Sequence, residues 1–263
     1  MVTDQHQLVS DWARQWATEP AGLAAWYDET ATVTYPGTSG TTGTTGTTGT
    51  TLIGRDAIAE HAARLAIAVP DRRVELLRLV DAGPTVVAEW VFTGRGVEDL
   101  VTMATPGLTW WELDEEGLIA DELRLVDWSA RRIADAASRA DLAIAAGATR
   151  SRGWYRDFAD RLFEVVGPYP ELALSSLYRS GATCTRPVGR PAHGRTDTGH
   201  DAPAGTPPGP RPVAVAGHGS LLAVRFDPGG SGHADAVAVL ELDESDRIID
   251  ERSYHGSWWP EQA

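Results

Sequence analysis

The chain has 263 residues, 42% of them hydrophobic, with ten tryptophans, a single cysteine and a formal net charge of −14. That length suits two domains, each able to bury one core, and the acidic balance argues against nucleic acid or an anionic membrane surface as a partner. Cys184 alone makes no internal disulfide, which fits a reducing, cytoplasmic setting; residues 1–6 lack the basic stretch and apolar core of a signal peptide, and no segment is long enough to span a bilayer.

Leu8, Trp12 and Trp16 recur every fourth residue and predict an amphipathic first helix. A helical piece around Leu23 to Tyr27 leads into a strand from Ala31 to Tyr35, stopped by Pro36-Gly37. Residues 38–51 are nearly all Thr and Gly, a composition with nothing to bury, and read as a flexible loop. A helix is expected from Asp56 to Ala68 with Ile58, Ala62 and Leu65 on one face, and His61 on its surface. Strands follow at Arg73–Asp81, Thr85–Thr93 and Val101–Asp114, with a last one from Leu118 to Trp128. Trp110 and Trp111 are adjacent, so they point to opposite faces of one strand. Both faces of that sheet must be covered, one by helices and the other by a partner sheet.

Residues 131–147 read as an Ala-rich linking helix. Tyr155, Phe158, Leu162, Phe163 and Val166 open a second helix-then-strands unit. Its strands are expected at Ser176–Arg186, Val213–Ala216, Ser220–Asp227, Ala234–Asp243 and Arg247–His255. Four segments of the first half are echoed in order: Asp11–Trp16 by Asp157–Leu162, Trp26–Gly37 by Leu177–Val188, Gly83–Ala88 by His218–Ala223, and Trp111–Ile119 by Leu240–Ile248. Such spacing indicates duplication of a whole domain. The expected organisation is α+β: a complete domain over 1–130, a link over 131–153, and a degenerate copy over 154–263, whose 186–212 segment replaces the helix with a proline-rich, disordered loop.

The element order, with Leu52-Ile53-Gly54-Arg55-Asp56-Ala57-Ile58 before one helix and Glu116-Gly117-Leu118-Ile119 before the last strand, resembles the SnoaL-like branch of the nuclear-transport-factor-two superfamily, which also holds ketosteroid isomerases and limonene-epoxide-hydrolase-like enzymes. The resemblance implies two tandem cone-shaped domains, each a curved mixed or antiparallel sheet wrapped around helices, paired as a pseudo-dimer within one chain. It also implies a hydrophobic small-molecule ligand, such as a polyketide-like intermediate of secondary metabolism, and cofactor-independent cyclase or isomerase chemistry.

Such chemistry needs a carboxylate or histidine whose proton affinity is tuned by an apolar pocket. Asp127 ends the last strand near where SnoaL-like cyclases keep their acid/base carboxylate; the alternative is an Asp capping the turn toward Ser129. Trp12, Trp16, Trp26, Tyr35, Trp90, Phe92 and Trp110 are candidate cavity aromatics, with Thr32 and Thr34 as polar contacts. The epoxide hydrolases carry Arg-x-Asp on one strand and Asp on the last. The first copy has Trp90, Phe92 and Arg124 at those places, so Arg124 counts among the ligand contacts. The second copy has Arg225-Phe226-Asp227 but Ser253 at the last place, and Asp227 also opens a plain turn sequence. His255 is the general-base candidate of the second copy. Glu89 faces away from Trp90 and Phe92, toward the interface. No metal spacing, phosphate loop or dinucleotide fingerprint occurs, so no cofactor is called for. The alternatives to an enzyme of proton transfer are a non-catalytic binding or assembly module and an epoxide-opening hydrolase built on Arg225 and Asp227.

Overall fold

The computed structural model describes residues 5–36, 49–97, 102–126, 143–144, 150–164, 177–185, 211–227 and 236–255. Helix α1 (Gln5–Thr18) forms on the predicted spacing and buries Leu8, Val9, Trp12, Ala13 and Trp16. A 3-10 turn (Pro20–Trp26) delivers the chain into strand β1 (Tyr27–Tyr35). A short strand β2 (Thr50–Ile53) then precedes helix α2 (Arg55–Ala68). Thr50 and Thr51, expected in the loop, are therefore strand: they pair antiparallel with Tyr35 and Thr34, and the backbone hydrogen bonds of β1 outweigh a composition that favours coil.

Strands β3 (Arg73–Ala82), β4 (Thr85–Arg95), β5 (Thr102–Leu113) and β6 (Ile119–Val126) form an antiparallel meander. Strand β6 then pairs parallel with β1. Ala143–Ile144, expected in the linking helix, is instead a two-residue strand β7 that runs parallel to β3. The sheet order is β2-β1-β6-β5-β4-β3-β7.

The second body repeats this plan. Helix α3 (Arg152–Glu164) is followed by β8 (Tyr178–Thr185), β9 (Arg211–His218), β10 (Leu221–Asp227), β11 (Ala236–Leu242) and β12 (Ile248–His255), ordered β8-β12-β11-β10-β9. Strand β8 runs parallel to β12 as β1 does to β6, and Tyr178 stands opposite Ile248 as Tyr27 stands opposite Ile119. The register corrects one of the echoed segments. Trp111 and Leu240 occupy equivalent places, which makes Val86 equivalent to Leu222 rather than Leu221. The turn glycines then coincide, since Gly83 (φ 81°) and Gly219 (φ 55°) both take the left-handed backbone that side chains resist. Residues 186–210 lie outside the described residues, so the expected loss of a helix there does too.

Each sheet packs one face on its own helices and the other face on its counterpart. Trp111 joins the core that includes α1 and α2. Trp110, with Val87, Leu108, Leu123 and Leu125, packs instead against Leu221, Ala223, Val237, Val239 and Tyr254 of the second sheet. The two faces predicted from adjacent tryptophans are thus covered as the pleat requires. Arg78 and Glu89 carry charge into that seam. Glu89 accepts from Arg252 Nη1 at 3.2 Å and from the Tyr254 hydroxyl, while Arg78 bonds Asp250 and lies 3.4 Å from Glu241. Burial first, and Glu89 second, push the Tyr254 phenol well above its usual range, so it stays a donor.

Candidate functional site

Trp12 and Trp16 come from successive turns of α1, Tyr35 from the end of β1, Leu65 from α2, and Val74, Trp90, Phe92, Arg124 and Val126 from the facing sheet. Together they line a cavity of about 20 Å³, room for about one water molecule. The pleat explains the sheet side. Trp90 and Phe92 alternate on one face of β4, and Trp90 donates its indole N–H to Thr109 Oγ1 at 2.9 Å. Trp12 packs edge-on against Trp111, with ring centroids 5.1 Å apart.

Among the described residues, Arg124 is the one cation in this wall. Its guanidinium lies 5.6 Å from the Trp12 ring centroid and 5.3 Å from those of Trp16 and Tyr35, within cation–π range. Nε donates to Glu122 Oε1, Nη1 to the Tyr35 hydroxyl at 2.7 Å and Nη2 to the Tyr27 hydroxyl at 3.2 Å. Tyr27 in turn donates to Glu122 Oε2. Burial alone would lower the proton affinity of the guanidinium, but the Glu122 carboxylate, Tyr35 and Tyr27 together outweigh it and Arg124 stays charged. Burial, then Glu122, raises the Tyr27 phenol well above its usual range. A guanidinium has five N–H donors, three of which are taken here. Trp16 is 3% exposed and its Nε1 has no hydrogen-bond partner among the described residues. The polar atoms left over at the cavity are therefore donors.

His61 was expected on the helix surface and is instead 5% exposed, its ring 5.2 Å from that of Tyr35. Burial first, then the charges of Arg124 and Arg64, pushes its pKa down to about 4, so it is neutral at pH 7. The spacing could have shown it, because His61 falls between Ile58 and Leu65, both on the buried face of α2.

Residues 9–122 match the family model described as the SnoaL-like domain. The first body is a SnoaL-like domain. None of the curated proteins compared with the chain matches it. Among solved structures, the chain is similar to a hypothetical protein of ketosteroid isomerase-like fold from Catenulispora acidiphila, in complex with trimethylamine, at 22% identity over 45% of this chain and 83% of that one (TM-score 0.37). It is also similar to SalBIII, an epoxide hydrolase/cyclase-like enzyme of pyran ring formation in salinomycin, at 18% identity over 49% and 96% (TM-score 0.39). A third is a phenazine biosynthesis-related protein of Pseudomonas aeruginosa, at 16% identity over 46% and 77% (TM-score 0.38).

In this SnoaL-like domain the structure brings together Trp12, Trp16, Tyr35, Trp90, Phe92 and Arg124 from the ligand-contact candidates. Four others stand apart. Trp110 is in the seam between the sheets, with its Nε1 on Glu112. Thr32 and Thr34 alternate with the core residues Ala31, Val33 and Tyr35, so they belong to the opposite face of β1, where Thr32 bonds Asp121. Trp26 packs on the edge of the core without reaching the cavity.

Asp127 lies outside the described residues, one position beyond Val126 of the cavity wall. In the second body, Arg225 takes the place of Glu89, not of Trp90. It shares the face of β10 whose Leu221 and Ala223 pack on the other sheet, away from the helix-side core of Leu222, Val224 and Phe226. Arg225 therefore falls on the seam face of β10 and not on its helix-covered face. Asp227 pairs with Arg211 and His255 with Ala236, at the ends of their strands. Strand β12 repeats the Tyr–Glu pair, with Tyr178 donating to Glu251 Oε2. There Ser253 takes the place of Arg124 and donates to Glu251 Oε1 at 3.1 Å.

Proposed function

We propose that the SnoaL-like domain is a cofactor-independent catalyst of proton transfer on a hydrophobic carbonyl compound, a cyclase or isomerase acting on a polyketide-like substrate. The observation that carries this reading is the donor-only polarity of the cavity: Arg124, held charged by Glu122, and the unpartnered Trp16 N–H stand in an otherwise aromatic and aliphatic wall. Donors fixed in a dry site favour an oxygen that gains negative charge, as a carbonyl does when its α-carbon loses a proton. Asp127, the residue that follows Val126 of the cavity wall in the sequence, would be the base. On this reading the two bodies, over 1–130 and 154–263, descend from one duplicated domain. The second has given up the chemistry, since Ser253 offers no charge where Arg124 does, and it serves as the cover of the first sheet.

The small volume of the cavity favours one rival. Ligand pockets usually hold ~300–1,000 Å³, so a substrate enters only if the cavity wall gives way, and a domain that never opens would be a non-catalytic assembly module. Exchange of the α-protons of 2-tetralone in D₂O, followed by NMR, separates the two. Catalysed exchange that falls about 100-fold in Asp127→Asn, as loss of a general base does, supports the enzyme. Exchange no faster than in buffer supports the assembly module.

A further inference from the structure

Apart from the aromatic cavity, a cleft of about 350 Å³ lies where the two bodies meet. Its walls are the β3–β4 turn (Asp81, Ala82, Gly83, Thr85), the end of β9 (Val215, Gly217, His218) and the residues that begin α3 (Arg150, Arg152, Tyr155). The two turns are equivalent in the repeat, and His218 joins them by a contact from Nδ1 to the Asp81 carbonyl oxygen at 2.9 Å. A carbonyl only accepts, so Nδ1 carries the hydrogen and Nε2 is the other polar atom of the ring.

The walls are fixed by their own bonds. Arg150 donates to the Gly219 carbonyl at 2.9 Å and to Asp246, and lies 4.5 Å from the Trp154 ring centroid. Tyr155, 1% exposed, donates its hydroxyl to the same carbonyl at 2.9 Å. Thr85 donates to Glu112 at 2.7 Å. Asp81 Oδ1 accepts from the Gly83 amide at 3.2 Å. Arg150 is thus balanced by Asp246, but Arg152 has neither hydrogen bond nor ion pair among the described residues, although acidic side chains outnumber basic ones 37 to 23. A ligand-sized space with preset walls thus ends on a guanidinium that lacks an anion. Guanidinium groups hold carboxylates and phosphates by paired N–H bonds.

We propose that this cleft is a second binding site, for a small organic oxyanion (a carboxylate or a phosphate ester) held by Arg152 with its body against Ala82 and Val215. The site exists only when both bodies are present, because each supplies part of the wall. It does not depend on the chemistry of the aromatic cavity.

Isothermal titration of the full chain with benzoate, phenyl phosphate and neutral benzyl alcohol tests it. Binding of either anion, with the alcohol at least about tenfold weaker, is the expected result, and whichever anion binds more tightly identifies the headgroup. Arg152→Gln should weaken the anion about tenfold or more, the usual loss for a charge-assisted bond. Trp16→Phe, in the other cavity, should leave it unchanged. The proposal is overturned if neither anion binds, if the alcohol binds as well, if Arg152→Gln binds as the parent does, or if Trp16→Phe abolishes binding.

Discussion

Arg124 carries its charge into the core beside Trp12, Trp16 and Tyr35 because Glu122 accompanies it from two positions back on the same strand face. Removing one member strands the other. Glu122→Gln should cost about 3–5 kcal/mol, the range for an uncompensated buried charge. The double change Glu122→Leu with Arg124→Met should recover most of it, and urea unfolding of the three proteins measures the difference; equal losses in both would show that packing, not charge, governs the site. His61 supplies a second prediction. Its folded pKa of about 4 lies below the unfolded value of 6.5, so between those values the unfolded chain binds the extra proton. Stability from this group is complete above pH 6.5 and is lost as pH falls toward 4, by roughly 3 kcal/mol at 1.36 kcal/mol per pKa unit. Unfolding free energies at pH 7.5 and 4.5 should therefore diverge less in His61→Phe than in the parent. His61 and the partners of Arg124 were the hardest to read from sequence. A polar side chain inside a helix or strand looks solvent-facing until the partner that holds it is known, and Glu122 and Tyr27 are 95 residues apart.

The elements themselves were legible where period and punctuation agree. The i, i+4 tryptophans of α1, the Ile58–Leu65 stripe of α2 and the Gly83-Pro84 turn each fix an element with local information. What failed was a register shift of one residue between the halves, which exchanges the faces of a strand. It assigned Arg225 to the place of Trp90 when the pairing gives it the place of Glu89. Strand β5 offers an element-scale test. Gly107 stands opposite Trp90, and a Cβ there would come within 2.3 Å of the indole. Gly107→Ala should displace Trp90 from Thr109, lower stability by about 1–3 kcal/mol as overpacking does, and reduce the near-ultraviolet dichroism of the tryptophans. A variant with the parent's melting temperature and tryptophan spectrum would mean that the strand flexes enough to absorb the methyl.

At the scale of the molecule, the seam between the sheets joins apolar packing to charge pairs that cross from one body to the other. The need for a partner sheet was legible from Trp110-Trp111, because two adjacent large rings cannot both be covered by one layer of helices. The pairing of Arg78 with Asp250 and of Glu89 with Arg252 was not, since it depends on which strand faces which across the seam. Separating the bodies would expose Val87, Leu108, Trp110, Leu123 and Leu125 together, a contiguous apolar face of the kind that monomeric proteins rarely present. It would also leave Arg78 and Glu89 without their partners in the second sheet, with Glu89, 1% exposed in the full chain, brought to the surface. Residues 1–130 expressed alone should accordingly self-associate, most simply through the bared sheet face, or aggregate. Sedimentation velocity over a hundredfold range of concentration reads this directly. Replacing Val87 and Leu125 by Asp in the same fragment should shift it toward monomer, because like charges would then meet across any sheet-to-sheet dimer. A fragment that stays a folded monomer at high concentration without those changes would show that the first sheet does not need its cover.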